Sequence, residues 1–359
     1  MNKILCLIDS LGAGGAQRQI VGLASFLKKR GYDVLVAIYH EDLFYADVLL
    51  NHDVPYVYLY QAKRHSTRIF YIANYIRKIR PDWVVSYLET PSICACVARI
   101  LNHRFKLIVS ERNTTQNTGL REKIRFTLFR LADYVVPNAY AQSEYIKNTF
   151  PKLANKTITI PNFVDLQYFT PSRHRIRKTT PEIIVVASIW PSKNTFGFID
   201  AIGLLKERGL SFHVSWYGLN TIHKDYINKC LAKIANINVA DYIELKEKTT
   251  HIKDRYQEAD YFCLPSFYEG TPNVICESMA CGLPVACSDV CDNSRYVTND
   301  ENGFLFNPND VSSIVVAIEK LLLLDNLQYN AFCVRSREKA EELFSEETFI
   351  TNYVKLLEQ

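Results

Sequence analysis

The sequence has ten cysteines but no C-x-x-C pair, no internal repeat of solenoid period, and no uninterrupted apolar run of about 18 residues. Each absence removes a class. Cys94, Cys96, Cys263, Cys276, Cys281 and Cys287 lie in apolar segments, which reads as buried thiols in a reducing compartment, not as a metal site or a disulfide framework. No membrane-crossing helix is expected. The opening MNKILCLIDSLG carries one early Lys and an apolar run too short for a signal-peptide core, so it reads as a buried strand. What is present is ordinary for a soluble protein: 359 residues, 48% apolar and 22% charged, about two domains' worth of chain. Charge is unevenly spread. Residues 1–170 hold 22 Lys and Arg against 13 Asp and Glu, a net +9, whereas residues 171–359 hold 20 against 25, a net −5. A basic first half implies an anionic partner: nucleic acid, a phosphorylated substrate or an anionic membrane surface.

Apolar strand-like runs alternate with helix-period segments along the chain. KILCLID precedes a Gly-rich turn and the helical GAQRQIVGLASFLKKRG; YDVLVAIY, VPYVYLY, PDWVVSY and FKLIVSE follow, with helical segments among them. The alternation pauses at NFVDLQYFTPSRHRIRKTTPE, polar and basic with Pro171 and Pro181, which reads as an interdomain linker. It restarts with EIIVVASIW, then FHVSWYG, YIELKE, YFCLPS, LPVACSD and GFLFN, and closes with helices over about 310–324 and 326–358. Strands spaced by helices mean parallel sheets covered on both faces, here in two α/β domains with a ligand cleft between them. Ligands of such sheets bind at the carboxyl edges, so the loops leaving strands are the candidates.

One such loop is SFYEGTPNVICESMACGLP. Thr271 then Pro272 make a helix start, and Gly282 followed by Leu283 and Pro284 makes a stop, which puts Glu269 before a short helix and Glu277 inside it. The helix amides between the two acids favour an anion, above all a phosphate. Five helical residues advance about 7–8 Å, the reach of a diphosphate. A sugar held by Glu269, a diphosphate on the amides and a ribose held by Glu277 fit this layout. So does a solvated acid followed by a helix-face acid.

EGTPNVICESMACGLPVA closely resembles the E-x7-E region of the retaining glycosyltransferases of family 4 (glycosyl transferases group 1). DSLGAGGAQRQ is similar to the family's first glycine-rich loop, PNFVD to its interdomain segment, PSKN to its phosphate-binding lysine segment, EADYFCLPS to the strand before the acids, and NGFLF to a later segment. The resemblance spans nearly the whole chain, and its specificity lies in the order and spacing of the motifs. It implies an α/β chain of GT-B fold, two Rossmann-like domains with parallel sheets facing across a central cleft. Residues 1–165 would bind the acceptor, 166–182 form the linker, 183–335 bind the nucleotide sugar, and the helix of 336–359 return toward the first domain.

The resemblance implies roles as well. Glu269 contacts the transferred sugar, and the backbone of Gly270, Thr271, Pro272, Asn273 and Val274 approaches the sugar and its diphosphate. Glu277 binds the ribose diol, and Lys193 supplies a cation to the leaving group. Gly14 and Gly15 let the first loop close on the phosphates, and Gly218 is what remains of a G-x-G near the base. Neither metal nor cofactor is implied. The chain departs from the family at Ser188, where many members carry arginine; Arg18 and Arg112 are the candidate substitutes, with Asn162 a further phosphate or acceptor contact. It departs again at Glu111, where many relatives place histidine. Glu111 would orient the acceptor from a cleft rim, or form a salt bridge to Arg112.

The implied activity is transfer of a hexosyl or N-acetylhexosaminyl group, with retention, from a nucleotide-diphosphate sugar to a saccharide or lipid-linked saccharide, in building surface polysaccharide or glycoconjugate. The competing readings are a sugar-nucleotide epimerase of the same fold and a non-catalytic nucleotide-sugar-binding protein. A dehydrogenase is disfavoured, because GAGGAQ has Gln17 at the third glycine position and the strand ending AIYH closes on no acid. Nucleic-acid binding is disfavoured too, since the basic residues form no aromatic stacking platform. The segments GLREKIRFTLFRLADYVV and KRHSTRIFYIANYIRKIR mix arginine with apolar side chains. Both are read either as basic helices flanking the core or as peripheral contacts with an anionic bilayer at the cytoplasmic face.

Overall fold

The apolar runs become parallel strands because both of their faces are covered by the helices between them. The computed structural model describes residues 2–65, 67–102, 104–112, 118–173, 176–220 and 222–359. Ser66 of the first basic segment, Asn113, and His174 and Arg175 of the expected linker lie outside the described residues. The chain divides into two units, the first built from Met1–Phe163 and Glu346–Gln359, the second from Val164–Ser345.

In the first unit, strands β1 (Lys3–Leu7), β2 (Asp33–Ile38), β3 (Tyr56–Tyr58), β4 (Trp83–Tyr87), β5 (Lys106–Glu111) and β6 (Tyr134–Pro137) form one parallel sheet in the order β3-β2-β1-β4-β5-β6. Its helices are α1 (Gly15–Lys29), α2 (Ala46–Asn51), α3 (Arg68–Ile79), α4 (Glu89–Leu101), α5 (Leu120–Leu128) and α6 (Tyr140–Thr149). Every residue of WVVSY in β4 is buried, as expected of a strand sandwiched between helical layers.

The second unit repeats the plan. Strands β7 (Glu182–Val186), β8 (His213–Leu219), β9 (Ile243–Glu247), β10 (Tyr261–Leu264), β11 (Val285–Ser288) and β12 (Gly303–Phe306) lie in the order β12-β11-β10-β7-β8-β9, all parallel. Helices α7 (Thr195–Glu207), α8 (Lys224–Asn236), α9 (Ile252–Glu258), α10 (Asn273–Ala280), α11 (Asn293–Tyr296), α12 (Val311–Leu322) and α13 (Asn326–Phe344) accompany them. The helix expected over 326–358 is two helices: Ser345 takes an extended conformation, and α14 (Glu346–Leu357) belongs to the first unit. There Phe349, Ile350, Tyr353, Leu356 and Leu357 join the core of Ile4, Val34 and Trp83, and the Tyr353 hydroxyl meets that of Tyr87 at 2.8 Å. The segment read as a linker is packed where it begins: Val164 and Phe169 are buried in the second unit's core, and the Val164 amide donates to Phe344 O at 2.9 Å.

Both sheets reverse their strand order once, between β1 and β4 and between β7 and β10. Two loops leave the carboxyl edge in opposite directions at such a point, and the crevice between them is where open α/β sheets take ligands. In the second unit those loops are 187–194 and 265–272.

Candidate active site

The loop after β7 turns through Pro191–Lys193, one turn of 3₁₀ helix, and Asn194 then takes a left-handed conformation at φ 53° before α7 begins. Non-glycine residues accept this conformation at some cost, and asparagine most readily among them. Its side chain is held, with Nδ2 donating to Pro308 O at 2.8 Å and a Cβ on Gly197 falling 2.5 Å from Oδ1. The turn therefore presents Lys193 from a fixed base.

The loop after β10 lies against that turn. Phe267 N–H donates to Ser192 O at 2.9 Å. Lys193 Nζ stands 2.5 Å from Glu269 Oε1, and the same oxygen accepts from Ser266 Oγ at 2.5 Å. Ser266 is fully buried, while the side chains of Lys193 and Glu269 keep 24% and 13% of their exposure. The switch point thus brings together a cation and an acid that are 76 positions apart in sequence.

Helix α10 follows, and it starts one residue later than expected. Pro272 is the residue before the first turn, with φ −76° and ψ 94°, and its carbonyl accepts from Ile275 and Cys276. The expected stop is present. Gly282 adopts φ 73° and donates to Met279 O, and Leu283 donates to Ser278 O, a glycine-closed helix end. The first amides of α10 cannot find acceptors within the helix and mark a place for negative charge beside Gly270 and Thr271. Glu277 faces inward from the middle of α10, 6% exposed, its Oε2 accepting from the Tyr256 hydroxyl at 3.4 Å. Glu269 and Glu277 therefore differ in kind: one is an ion-paired loop acid, the other a nearly buried helical one.

Gly218 answers to packing. A Cβ there would fall 1.7 Å from the carbonyl oxygen of Ala187, so the close approach of β8 to the end of β7 requires glycine. Ser188 sits beside this contact, half-buried. Cys291, exposed at the surface, lies against Glu269: partial burial raises its thiol, and the backbone N–H of Glu269 lowers it in part.

In the first unit, Gly14 precedes α1 and Gly15 opens it. A Cβ on Gly14 would run first into the Gln17 side chain, whose amide donates to Asp9 Oδ1 at 3.0 Å. Arg18 follows in the first turn of α1, half-buried, its amide donating to Gly14 O at 3.0 Å. Two expectations about Glu111 are corrected, its place on a cleft rim and its alternative salt bridge to Arg112. Glu111 ends β5 at 3% exposure, not on an open rim, and its ion-pair partner is Arg125 of α5 at 3.7 Å, not Arg112. Arg112 donates to Asn162 Oδ1 at 2.6 Å and to the Tyr353 hydroxyl at 3.1 Å, with its guanidinium 3.9 Å from the centre of the Tyr87 ring. Both Arg112 and Asn162 thus hold α14 and the end of Met1–Phe163 to the sheet. Glu89, at the start of α4, also takes Arg125 and, at 2.8 Å, Arg121. Beside these charges lies a cavity of about 630 Å³ with Ile69, Ile93, Leu120 and Ile124 among its walls.

Sequence reasoning missed Ser266, Asn194 and Tyr256. Ser266 stands within the quoted loop, but only the geometry shows its hydroxyl on the acid. Among the described residues, no group of three His, Cys, Asp or Glu could hold a metal ion, and no helix is long and apolar enough to cross a membrane.

The model of the Glycosyltransferase Family 4 domain matches residues 13–168, and that of Glycosyl transferases group 1 matches residues 169–340. An uncharacterized glycosyltransferase of Haemophilus influenzae is 23% identical over 95% of this chain and 96% of its own. A Campylobacter jejuni relative, named as an N-acetylgalactosamine-N,N'-diacetylbacillosaminyl-diphospho-undecaprenol 4-alpha-N-acetylgalactosaminyltransferase, is 22% identical over 91% and 92%. The Anabaena protein HepE, solved in complex with UDP, superposes with a TM-score of 0.86 at 18% identity, over 99% of each chain.

Proposed function

This chain belongs to the family 4 glycosyltransferases and has their GT-B fold, and from that premise we propose that it transfers a hexosyl or N-acetylhexosaminyl group, with retention, from a nucleoside diphosphate to a hydroxyl of a saccharide or lipid-linked saccharide. The observation that carries this reading is the meeting of Lys193 and Glu269 at the switch point of the second sheet, directly before the start of α10. The diphosphate would lie over the α10 amides and Gly270, with Lys193 neutralising it as it leaves. Glu269 would hold hydroxyls of the sugar, and Glu277 the ribose. The bond from the anomeric carbon to the diphosphate breaks as an oxocarbenium-like centre develops. The acceptor oxygen bonds to that carbon on the same face, and its proton passes to the departing phosphate. Two acids on one side of the donor do not suit a covalent intermediate, which uses opposed carboxylates about 5 Å apart.

The first unit would take the acceptor. Its cavity joins an apolar wall to Arg121 and Arg125, both paired with Glu89, and that wall suits the hydrocarbon of a lipid-linked acceptor. The diphospho-undecaprenol in the Campylobacter relative's name supports a lipid-linked acceptor here, and the UDP in HepE supports a uridine donor. Exposed Phe70, Leu120 and Ile124, near Lys63, Arg64 and Arg121 in sequence, would rest on the anionic cytoplasmic face of a membrane.

The test is a screen of UDP-, GDP- and ADP-sugars for thermal stabilisation and for nucleoside diphosphate release, with NMR of the anomeric configuration of the product. A sugar nucleotide at about 100 times its Kd should stabilise the second unit by about 2.7 kcal/mol. Absence of stabilisation by every sugar nucleotide would refute the donor site, and an inverted product would refute retention. Epimerised donor without transfer would favour the epimerase reading.

A further inference from the structure

Resting on the reading of Glu269 as the acid that holds the transferred sugar, the geometry points to Ser266 as its positioning residue, the anchor that keeps this carboxylate in place when Lys193 leaves it for the diphosphate. In the structure both donors share one oxygen. Ser266 Oγ and Lys193 Nζ each stand 2.5 Å from Glu269 Oε1. A diphosphate carries more negative charge than a carboxylate, so donor binding draws the ammonium away, and a long flexible side chain permits the move. The serine cannot follow. It is fully buried, two residues past the end of β10, and the next residue's amide is fixed to Ser192 O. A hydroxyl on a carboxylate at this separation is a strong, charge-assisted hydrogen bond. It pins Oε1 from the protein side, so that Oε2 is the oxygen turned to the sugar hydroxyls. The loop backbone is tied to the lysine turn by Phe267, not by this hydroxyl, so removing the hydroxyl frees the carboxylate without releasing the loop.

The experiment compares Ser266→Ala, Ser266→Thr and Glu269→Gln with the parent chain, using UDP alone and then the UDP-sugar that the donor screen selects. UDP binding, read by calorimetry, also reports whether each variant is folded with its phosphate site intact. The expected result is that Ser266→Ala binds UDP within about twofold of the parent while kcat for UDP release from the sugar nucleotide falls 10- to 100-fold. Restoration of most of that loss by Ser266→Thr, which keeps the hydroxyl, is expected with it. A purely structural serine would lower UDP binding and turnover together, and that outcome overturns the proposal. Parent-like turnover in Ser266→Ala, with Glu269→Gln inactive, also overturns it while leaving the role of Glu269 standing. Parent-like turnover in Glu269→Gln overturns the reading on which it rests. Should the alanine variant fail to bind UDP because it misfolds, Ser266→Cys, close in volume and a weaker donor, must show the same selective loss of kcat.

Discussion

Replacing Glu269 by glutamine should have opposite effects on binding and on transfer. In the structure the diphosphate's cation is already occupied: Lys193 lies 2.5 Å from the Glu269 carboxylate, and both side chains are mostly but not fully buried. A hydrogen bond between charged groups contributes about 1.5–3 kcal/mol net. The residual exposure of both partners lowers that, so we take about 1–2 kcal/mol. UDP must displace this attraction to reach the lysine. Glutamine keeps the shape and removes the charge, so UDP affinity should rise about 5- to 30-fold, the equilibrium equivalent of that energy. Transfer should fall about 100- to 1,000-fold, as when one electrostatic contact to a reacting group is removed. Calorimetry with UDP and a coupled assay of UDP release from the sugar nucleotide read the two effects on one preparation. Lys193→Ala should weaken both. Unchanged or weaker UDP binding by Glu269→Gln would refute the reasoning, for it would mean that the lysine and the diphosphate do not meet.

Gly218→Ala places a methyl 1.7 Å from the Ala187 carbonyl oxygen, a backbone atom that cannot swing away. We expect a loss of about 3 kcal/mol and a drop of about 6–12 °C in the melting of the second unit, by differential scanning fluorimetry; a change under about 2 °C would refute the packing role. Arg112→Met removes charged donors from Asn162 and Tyr353 and should destabilise the first unit by about 2–4 kcal/mol in urea while UDP affinity stays as it was. Intact stability with lost UDP binding would return Arg112 to the phosphates. Burial pushes the thiols of Cys6 and Cys96 up to about 12 and those of Cys94 and Cys230 up to about 11. Those thiols are both little ionised at pH 8 and out of the reagent's reach, so Ellman's reagent should react first at exposed Cys291, although its thiol is raised too, and at half-buried Cys333. UDP-sugar should slow labelling of Cys291, whose thiol lies against the Glu269 backbone; labelling indifferent to every donor would count against sugar binding there.

The strands were legible because parallel strands are buried on both faces and so read as unbroken apolar runs, WVVSY being the plainest. The end of α10 was legible for an equally local reason, a glycine at φ 73° followed by proline two residues on. The start was off by one residue because Thr271 and Pro272 favour a helix start either way, and the loop decides which of them lies inside it. Strand order is written in no local pattern. The position of β10 beside β7, which alone brings Lys193 to Glu269, therefore could not be read along the chain. Glu111 was misread for a related cause. Its neighbour in sequence is Arg112, but the guanidinium that reaches it comes from α5, while Arg112 turns to Asn162 and Tyr353. Ser345 escaped notice because serine tolerates a helix interior well enough to hide a break in a helical pattern.

Residues 346–359 complete a core whose other parts lie before residue 164, with all of Val164–Ser345 synthesised between them. Until that last stretch has left the ribosome, the first unit lacks the helix that carries Tyr353. For that interval the nascent protein shows a bare apolar groove, at the site where Phe349, Ile350 and Leu356 will settle, to every chaperone in reach. The unit translated first is the unit sealed last.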